Sequence, residues 1–256
     1  MCLTLKQEYI SDDKPSVPVM LVSGEAAFAI SALESLGVRV IPTNRNDDIA
    51  GPVSWHPDMQ FFFFPDGKAV TLLGNAIPDV LTQAGYPMLF TSKKPDRRYP
   101  GDVLCNALYH AGAIYAKLDA LDTELLALAY GEALDLVSVR QGYTACSVCV
   151  VNDEAVITAD TGLAAAFRTR GTDVLEINAG HIRLLGYDYG FIGGCCGKLD
   201  ERTLVFTGRL DSHPDGGRIR RFICHYGLDV LELTTGPLMD IGGMMNISRR
   251  FYKENG

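Results

Sequence analysis

The stretch "WHPDMQFFFF" at 55–64 sets His56 and Asp58 two residues apart, with Gln60 next, directly before four phenylalanines. An imidazole and a carboxylate this close can move protons or grip a cation. Equally, such a pair can simply cap a strand end. A polar residue recurs in the same place before later apolar runs, in "PGDVLCNALY", "GYTACSVCVV", "GYDYGFIGG" and "LMDIGGMMNI". Aligned, these give Asp58, Asp102, Thr144, Asp188 and Asp240, at spacings of 44, 42, 44 and 52 residues. Brought together, they make an acidic site for a cation. Kept apart, each accepts backbone N–H bonds in its own turn.

Cys105 and Cys146 lie in the same loops. A thiol there is either a nucleophile, once deprotonated, or a small buried hydrophobe. Cys149 falls in the strand-like "SVCVV" and reads as core. "CSVC" lacks a second ligand pair at zinc spacing, so no metal is expected. "GFIGGCCGK" has the wrong spacing for a phosphate loop, with Leu199 in the Ser/Thr position. Its glycines instead suit a chain passing close to other backbone.

The elements that must position these residues repeat. Five segments join a helical stretch to a glycine and a short apolar strand: "AAFAISALESLGVRVI", "IPDVLTQAGYPMLF", "ELLALAYGEALDLVSV", "GLAAAFRTRGTDVLEI" and "RIRRFICHYGLDVLEL". Gly37, Gly85, Gly131, Gly171 and Gly227 fit the left-handed position that ends a helix. Pro78, Asp122-Thr123, Asp160-Thr161 and "DSHPD" at 211–215 mark helix starts. In "SVCVVNDEAVITADTGL" an Asn152-Asp153 turn joins two strands as a hairpin. Four consecutive Phe do not alternate, so their strand is expected to be buried on both faces. Each unit thus reads strand, turn, strand, helix, strand, over roughly 17–58, 59–102, 103–144, 145–188 and 189–248. Units this small must share neighbours. Closure into a ring pairs "VPVMLVS" with "MMNIS" and brings the five polar loops to one axis.

A ring of five such ββαβ units resembles the pentein, or guanidine-modifying enzyme, superfamily, a five-fold pseudosymmetric α/β propeller. The likeness spans about residues 17–248, within a single domain of 1–256. "QGYTACSVCVVNDEAVITADTGL" with "GYDYGFIGG" also looks like an uncharacterised branch of it. The resemblance implies a cysteine nucleophile, a histidine in a His-x-Asp motif and carboxylates holding a guanidinium. "HPDMQF" puts His56 and Asp58 in those roles, with Gln60, Asp102, Thr144, Tyr187, Asp188 and Asp240 as the binding set. The superfamily's nucleophile lies in the last strand mouth, yet there the chain reads "DIGGMMNIS", with Met245 and Asn246 where His and Cys belong. Cys105 and Cys146 then remain as nucleophiles. Cys105 is preferred, because its unit directly follows that of His56.

Composition limits the rest. The 256 residues are 47% hydrophobic and 21% charged, an ordinary globular balance. A net charge of −8 and a pI of about 5.1 leave no overall electrostatic footprint for nucleic acid or anionic membrane. "MCLTLKQEYISDD" lacks a signal-peptide pattern, and no apolar stretch reaches membrane-span length. Seven cysteines with no secreted framework suggest reduced thiols in a cytoplasm. Two functions are expected from these readings. One is a thiol-dependent hydrolase or amidinotransferase acting on a small cationic guanidino or amidine compound, without cofactor. The other is a non-catalytic pentein that binds a protein partner, for example at the ribosome.

Overall fold

The computed structural model describes residues 17–76, 81 and 86–248. Its strands form five three-stranded sheets of one pattern. A middle strand pairs antiparallel with one neighbour and parallel with the other. In sequence order, β3 (Phe61–Phe63), β4 (Ala69–Thr71) and β5 (Met88–Phe90) form one sheet. The next is β6 (Leu108–His110), β7 (Ala113–Ala116) and β8 (Asp135–Ser138). Then come β9 (Val148–Asn152), β10 (Ala155–Thr158) and β11 (Asp173–Glu176). They are followed by β12 (Cys196–Lys198), β13 (Thr203–Phe206) and β14 (Asp229–Glu232).

The fifth sheet closes the ring. β1 (Val19–Val22) lies between β2 (Arg39–Pro42) and β15 (Met244–Asn246), with Met20, Leu21 and Val22 opposite Asn246, Met245 and Met244. The expected pairing of "VPVMLVS" with "MMNIS" is therefore present. The fold is the five-fold pseudosymmetric α/β propeller of the penteins.

Helices α1 (Ala27–Ser35), α3 (Thr123–Gly131), α4 (Thr161–Thr169) and α5 (Gly216–His225) cross back between the parallel strands. The single turn α2 (Pro57–Gln60) precedes the phenylalanine strand. Helix burial follows i, i+4 spacing: Ala29 and Leu33, Leu125 and Ala129, Leu163 and Phe167, Ile219 and Ile223. That stripe faces the helix's own sheet. The middle strands β4, β7 and β10 are buried at every residue, as are the four phenylalanines. With both sheet faces covered, the strands have no solvent side to alternate toward.

Local details adjust several expectations. Asp122 and Asp160 cap α3 and α4, accepting from Glu124 N and Leu163 N. At α5 the start falls at Asp215, but its carboxylate reaches across to Asn178 N and Nδ2 instead. Gly37, Gly171 and Gly227 take positive φ as expected. Gly131 does not: it ends α3, and Ala133 takes the left-handed turn with φ 53°. Asp153-Glu154, rather than Asn152-Asp153, make the hairpin turn, and Asn152 Oδ1 accepts from Glu154 N. Pro78 and Gly85 lie outside the described residues. Among the described residues, no helix is long and apolar enough to cross a membrane.

Candidate functional site

Pro57 at the first helical position fixes the start of α2 and leaves His56 as its extended N-cap. This turn buries His56, Asp58 and Gln60 together, just before β3. From the far end of the chain, the 240–243 turn meets it: Asp58 N donates to Gly242 O at 3.4 Å. Gly242 has φ +78°, and a Cβ there would lie 2.4 Å from His56 Cβ. Only glycine lets these two loops approach so closely.

Asp240 accepts from Phe191 N through Oδ2 and from Gly242 N through Oδ1. Its carboxylate presses on Gly194, where a Cβ would sit 1.9 Å from Oδ1. The glycines of "GFIGG" thus serve the close approach expected of them. His56 Nδ1 lies 3.8 Å from Asp240 Oδ1, too far for a hydrogen bond, and is buried without a partner.

Cys146 is buried in the turn before β9, and its thiol interacts with the Asp58 carboxyl. Asn106 organises that contact. Its Nδ2 lies 3.2 Å from both Asp58 O and Cys146 Sγ, while Oδ1 accepts from Ala145 N at 2.8 Å. Residues from three sheets of the ring therefore meet at one point.

Above them lies a cavity of about 210 Å³. His56, Asp240 and Cys146 reach it from below, Tyr143, Phe191 and Leu184 form its walls, and Tyr187, Asp188 and Tyr189 stand at its rim. Tyr143 stacks on Phe191 at 6.2 Å, and Tyr189 meets Phe191 edge-on at 6.0 Å. A smaller cavity of about 70 Å³ shares His56, Leu184 and Asp240 and adds Glu25.

Burial governs the protonation states. It lowers the His56 pKa, only partly opposed by Asp240 and Glu25, so the imidazole favours its neutral form. Burial and then Asp240 hold the Asp58 carboxyl well above its ordinary range. Asp58 Oδ1 has no hydrogen-bond partner. The Cys146 thiol is pushed well up by burial, then by Asp58 and Asp240. It is a thiol here, not a thiolate.

The five aligned positions separate in role. Asp58 and Asp240 meet beneath the cavity. Asp102 is one step away, accepting from Tyr143 Oη at 2.7 Å through Oδ2 while its buried Oδ1 has no partner. Thr144 is buried and turned toward its own loop, donating to Gln141 O at 2.7 Å. Asp188 is exposed at the rim, with Tyr187 beside it. Gln60 Nε2 donates to Asn44 O and Ser54 O, tying down a loop outside the cavity lining.

Cys105 is not brought to the cavity. It is fully buried in the apolar cluster of Met59, Phe62 and Leu125, and burial first, then Asp122, raises its thiol pKa. Unit order favoured Cys105, but the turn at 102–107 sends the next residue, Asn106, to the site instead. Asn106, Tyr143, Tyr189 and Phe191 escaped notice in the sequence. Asn106, Tyr189 and Phe191 occupy no repeated position, and aromatic side chains in a loop read as ordinary core; Tyr143 precedes Thr144 as Tyr187 precedes Asp188, a Gly-Tyr repeat that could have marked it. Among the described residues, no group of three or more His, Cys, Asp or Glu is arranged to hold a metal ion.

A closed ring of five sheets with a polar centre on its axis defines this chain as a protein of pentein fold. Solved structures with this fold include DDAH from Pseudomonas aeruginosa, a cysteine-to-serine mutant complexed with citrulline. It is 10% identical with a TM-score of 0.53, covering 86% of this chain and 92% of that one. SxtG, an amidinotransferase from Microseira wollei in the saxitoxin biosynthetic pathway, is 10% identical with a TM-score of 0.54, covering 89% and 80%. The inosamine-phosphate amidinotransferase StrB1 from Streptomyces griseus is 13% identical with a TM-score of 0.50, covering 88% and 79%. At such identities the likeness is one of fold. The chain belongs to the Family of unknown function (DUF6873), whose profile matches residues 21–245. No curated protein matches the sequence.

Proposed function

We propose that this protein binds a small guanidino or amidine cation in the axial cavity, over His56, Asp58 and Asp240. The observation that carries this reading is the Asp58 carboxyl: 5% exposed, one oxygen unpartnered, and close enough to Asp240 to be raised by it. Among the described residues, neither carboxylate is paired with Lys or Arg, and His56 is the nearest basic group. A planar cation rich in N–H donors supplies both the missing charge and the missing hydrogen bonds. The aromatic walls favour a delocalised cation as well. The amidinotransferases and the dimethylaminohydrolase of like fold support the same ligand class.

A bound cation changes the chemistry of the site. It offsets the two carboxylates that raise the Cys146 thiol, and neutral His56 can then accept a proton. The thiolate sulfur would attack the amidine carbon, forming a C–S bond. The displaced amine leaves with a proton returned by the site. Water then releases the carbon as a urea-type product, or an acceptor amine takes it in an amidino transfer. Cys146, which lines the cavity, is the thiol this step would use.

A second reading is binding without turnover. It is favoured by the raised Cys146 thiol and by Met245 and Asn246 in the last strand mouth.

Calorimetry with agmatine, arginine and methylated arginines, in two buffers of different ionisation enthalpy, tests the binding. Asp58 must release its proton to meet a cation, so binding near neutral pH should liberate protons. Uptake of protons, or a preference for anions, overturns the reading. Iodoacetamide labelling of Cys146 separates the two chemistries. Ligand-accelerated labelling, lost in Cys146→Ala, supports turnover, and slow labelling in every condition supports binding alone.

A further inference from the structure

We propose that the cavity selects a ligand with a second cationic group and no carboxylate, and that Asp188 at the rim meets the second charge. This rests on the guanidine reading above and narrows it.

The charge of the lining is one-sided. The two cavities that share His56, Leu184 and Asp240 present Asp240, Asp188 and Glu25, and neither is lined by Lys or Arg. A ligand whose guanidinium sits over His56 and Asp240, with Asp58 beneath them, must extend its tail past Tyr143 and Phe191 to the rim. There it meets the exposed Asp188 between Tyr187 and Tyr189, which are 46% and 42% exposed. Methylene groups and ammonium heads both suit tyrosine faces.

A carboxylate tail finds nothing equivalent. The Tyr143 hydroxyl already donates to Asp102 Oδ2. Three backbone donors near the rim are likewise committed: Tyr187 N to Leu184 O, Gly190 N to Ile182 O and Phe191 N to Asp240 Oδ2. A carboxylate placed here would give up water and face Asp188, with no Lys or Arg in the lining to balance it. That arrangement is repulsive on both counts.

Three probes with one guanidinium and different tails test the idea by calorimetry: agmatine with an ammonium, butylguanidine with no charge, and arginine with a carboxylate beside its ammonium. Agmatine should bind about two- to five-fold more tightly than butylguanidine, the size of one exposed ion pair. Arginine should be the weakest. The agmatine-to-butylguanidine ratio should fall to about one in Asp188→Asn, and also at about 1 M salt, where rim charges are screened. Arginine binding as tightly as agmatine overturns the proposal, as does a ratio that survives Asp188→Asn. Failure of all three probes to bind folded protein would instead reject the guanidine reading beneath it.

Discussion

A carboxyl group buried beside another carboxylate resists ionisation, and Asp58 is in that position. An ordinary unfolded carboxyl ionises near pH 4. Above that pH the unfolded chain gives up a proton that folded Asp58 retains, so stability falls as pH rises toward the raised folded value. Asp58→Asn, which keeps the shape of the protonated acid, should remove this loss. The expected result is a melting temperature higher than wild type by a few degrees at pH 7, with the gap closing toward pH 4. Each kcal/mol is worth about 2–4 °C in a chain of this size. Comparing the two proteins at each pH cancels the opposite trend of His56, His110 and His213, whose lowered pKa values cost stability as pH falls below about 6.5. A lower melting temperature for Asp58→Asn at pH 7 would mean that the ionised carboxylate itself holds the loops together. The thiols give a second check at this scale. Among the described residues Cys224 is exposed and five other cysteines are buried. In a Cys2→Ser background, a thiol reagent should find one fast group in native protein, lost in Cys224→Ser, and five more only on unfolding. Fast reaction of Cys105 would contradict its core placement.

At the scale of elements, the Asp122 cap shows how helices are fastened to the ring. Its Oδ1 accepts from Glu124 N and from Ser92 N, and Oδ2 accepts from Ser92 Oγ. One carboxylate thereby joins the start of α3 to the loop after β5, across the boundary between two sheets. Asp122→Ala loses the cap and the two hydrogen bonds to Ser92 that tie α3 to the loop after β5. A loss of about 1–2 kcal/mol follows from the lost cap, read as a shifted denaturant midpoint. A loss below about 0.5 kcal/mol would reduce Asp122 to an ordinary surface group. The capping role was legible from Asp-Thr before an apolar helix. The bridge to Ser92 was not, because it joins residues 30 apart in sequence. The left-handed turn after α3 shows the same limit: Gly131 was the obvious candidate, yet the register of the helix on its sheet gives that turn to Ala133.

For the whole molecule, closure decides stability. β15 covers the open edge of β1, and Ile247 packs with Leu21, Ile41 and Phe61 beneath it. Tyr86 also donates its hydroxyl to Ile247 O. Removing residues 244–256 uncovers that edge and takes Ile247 and Met245 from this cluster. Unpaired edges invite intermolecular pairing. The truncated chain should therefore elute as aggregates in size-exclusion chromatography and lose its cooperative melt. A monomeric, cooperatively melting truncation would show that the ring stands without β15.

The sequence by itself determined the ring. Five units of similar length, each with a helix stripe and a short apolar strand, cannot bury their faces singly, and periodic patterning is visible without coordinates. It also marked Asp58 and Asp240 as loop residues at equivalent places, with His56 two residues before Asp58, and equivalent places on a closed ring face one axis. Tertiary structure decided what each loop turns toward that axis. Asn106 goes in and Cys105 goes outward into the core. Thr144 bonds to its own turn, Asp188 stands out at the rim, and Cys146 comes to lie against Asp58. Those choices depend on side-chain direction within irregular turns. That direction is set by packing between units distant in sequence, where no period of 2 or 3.6 residues applies.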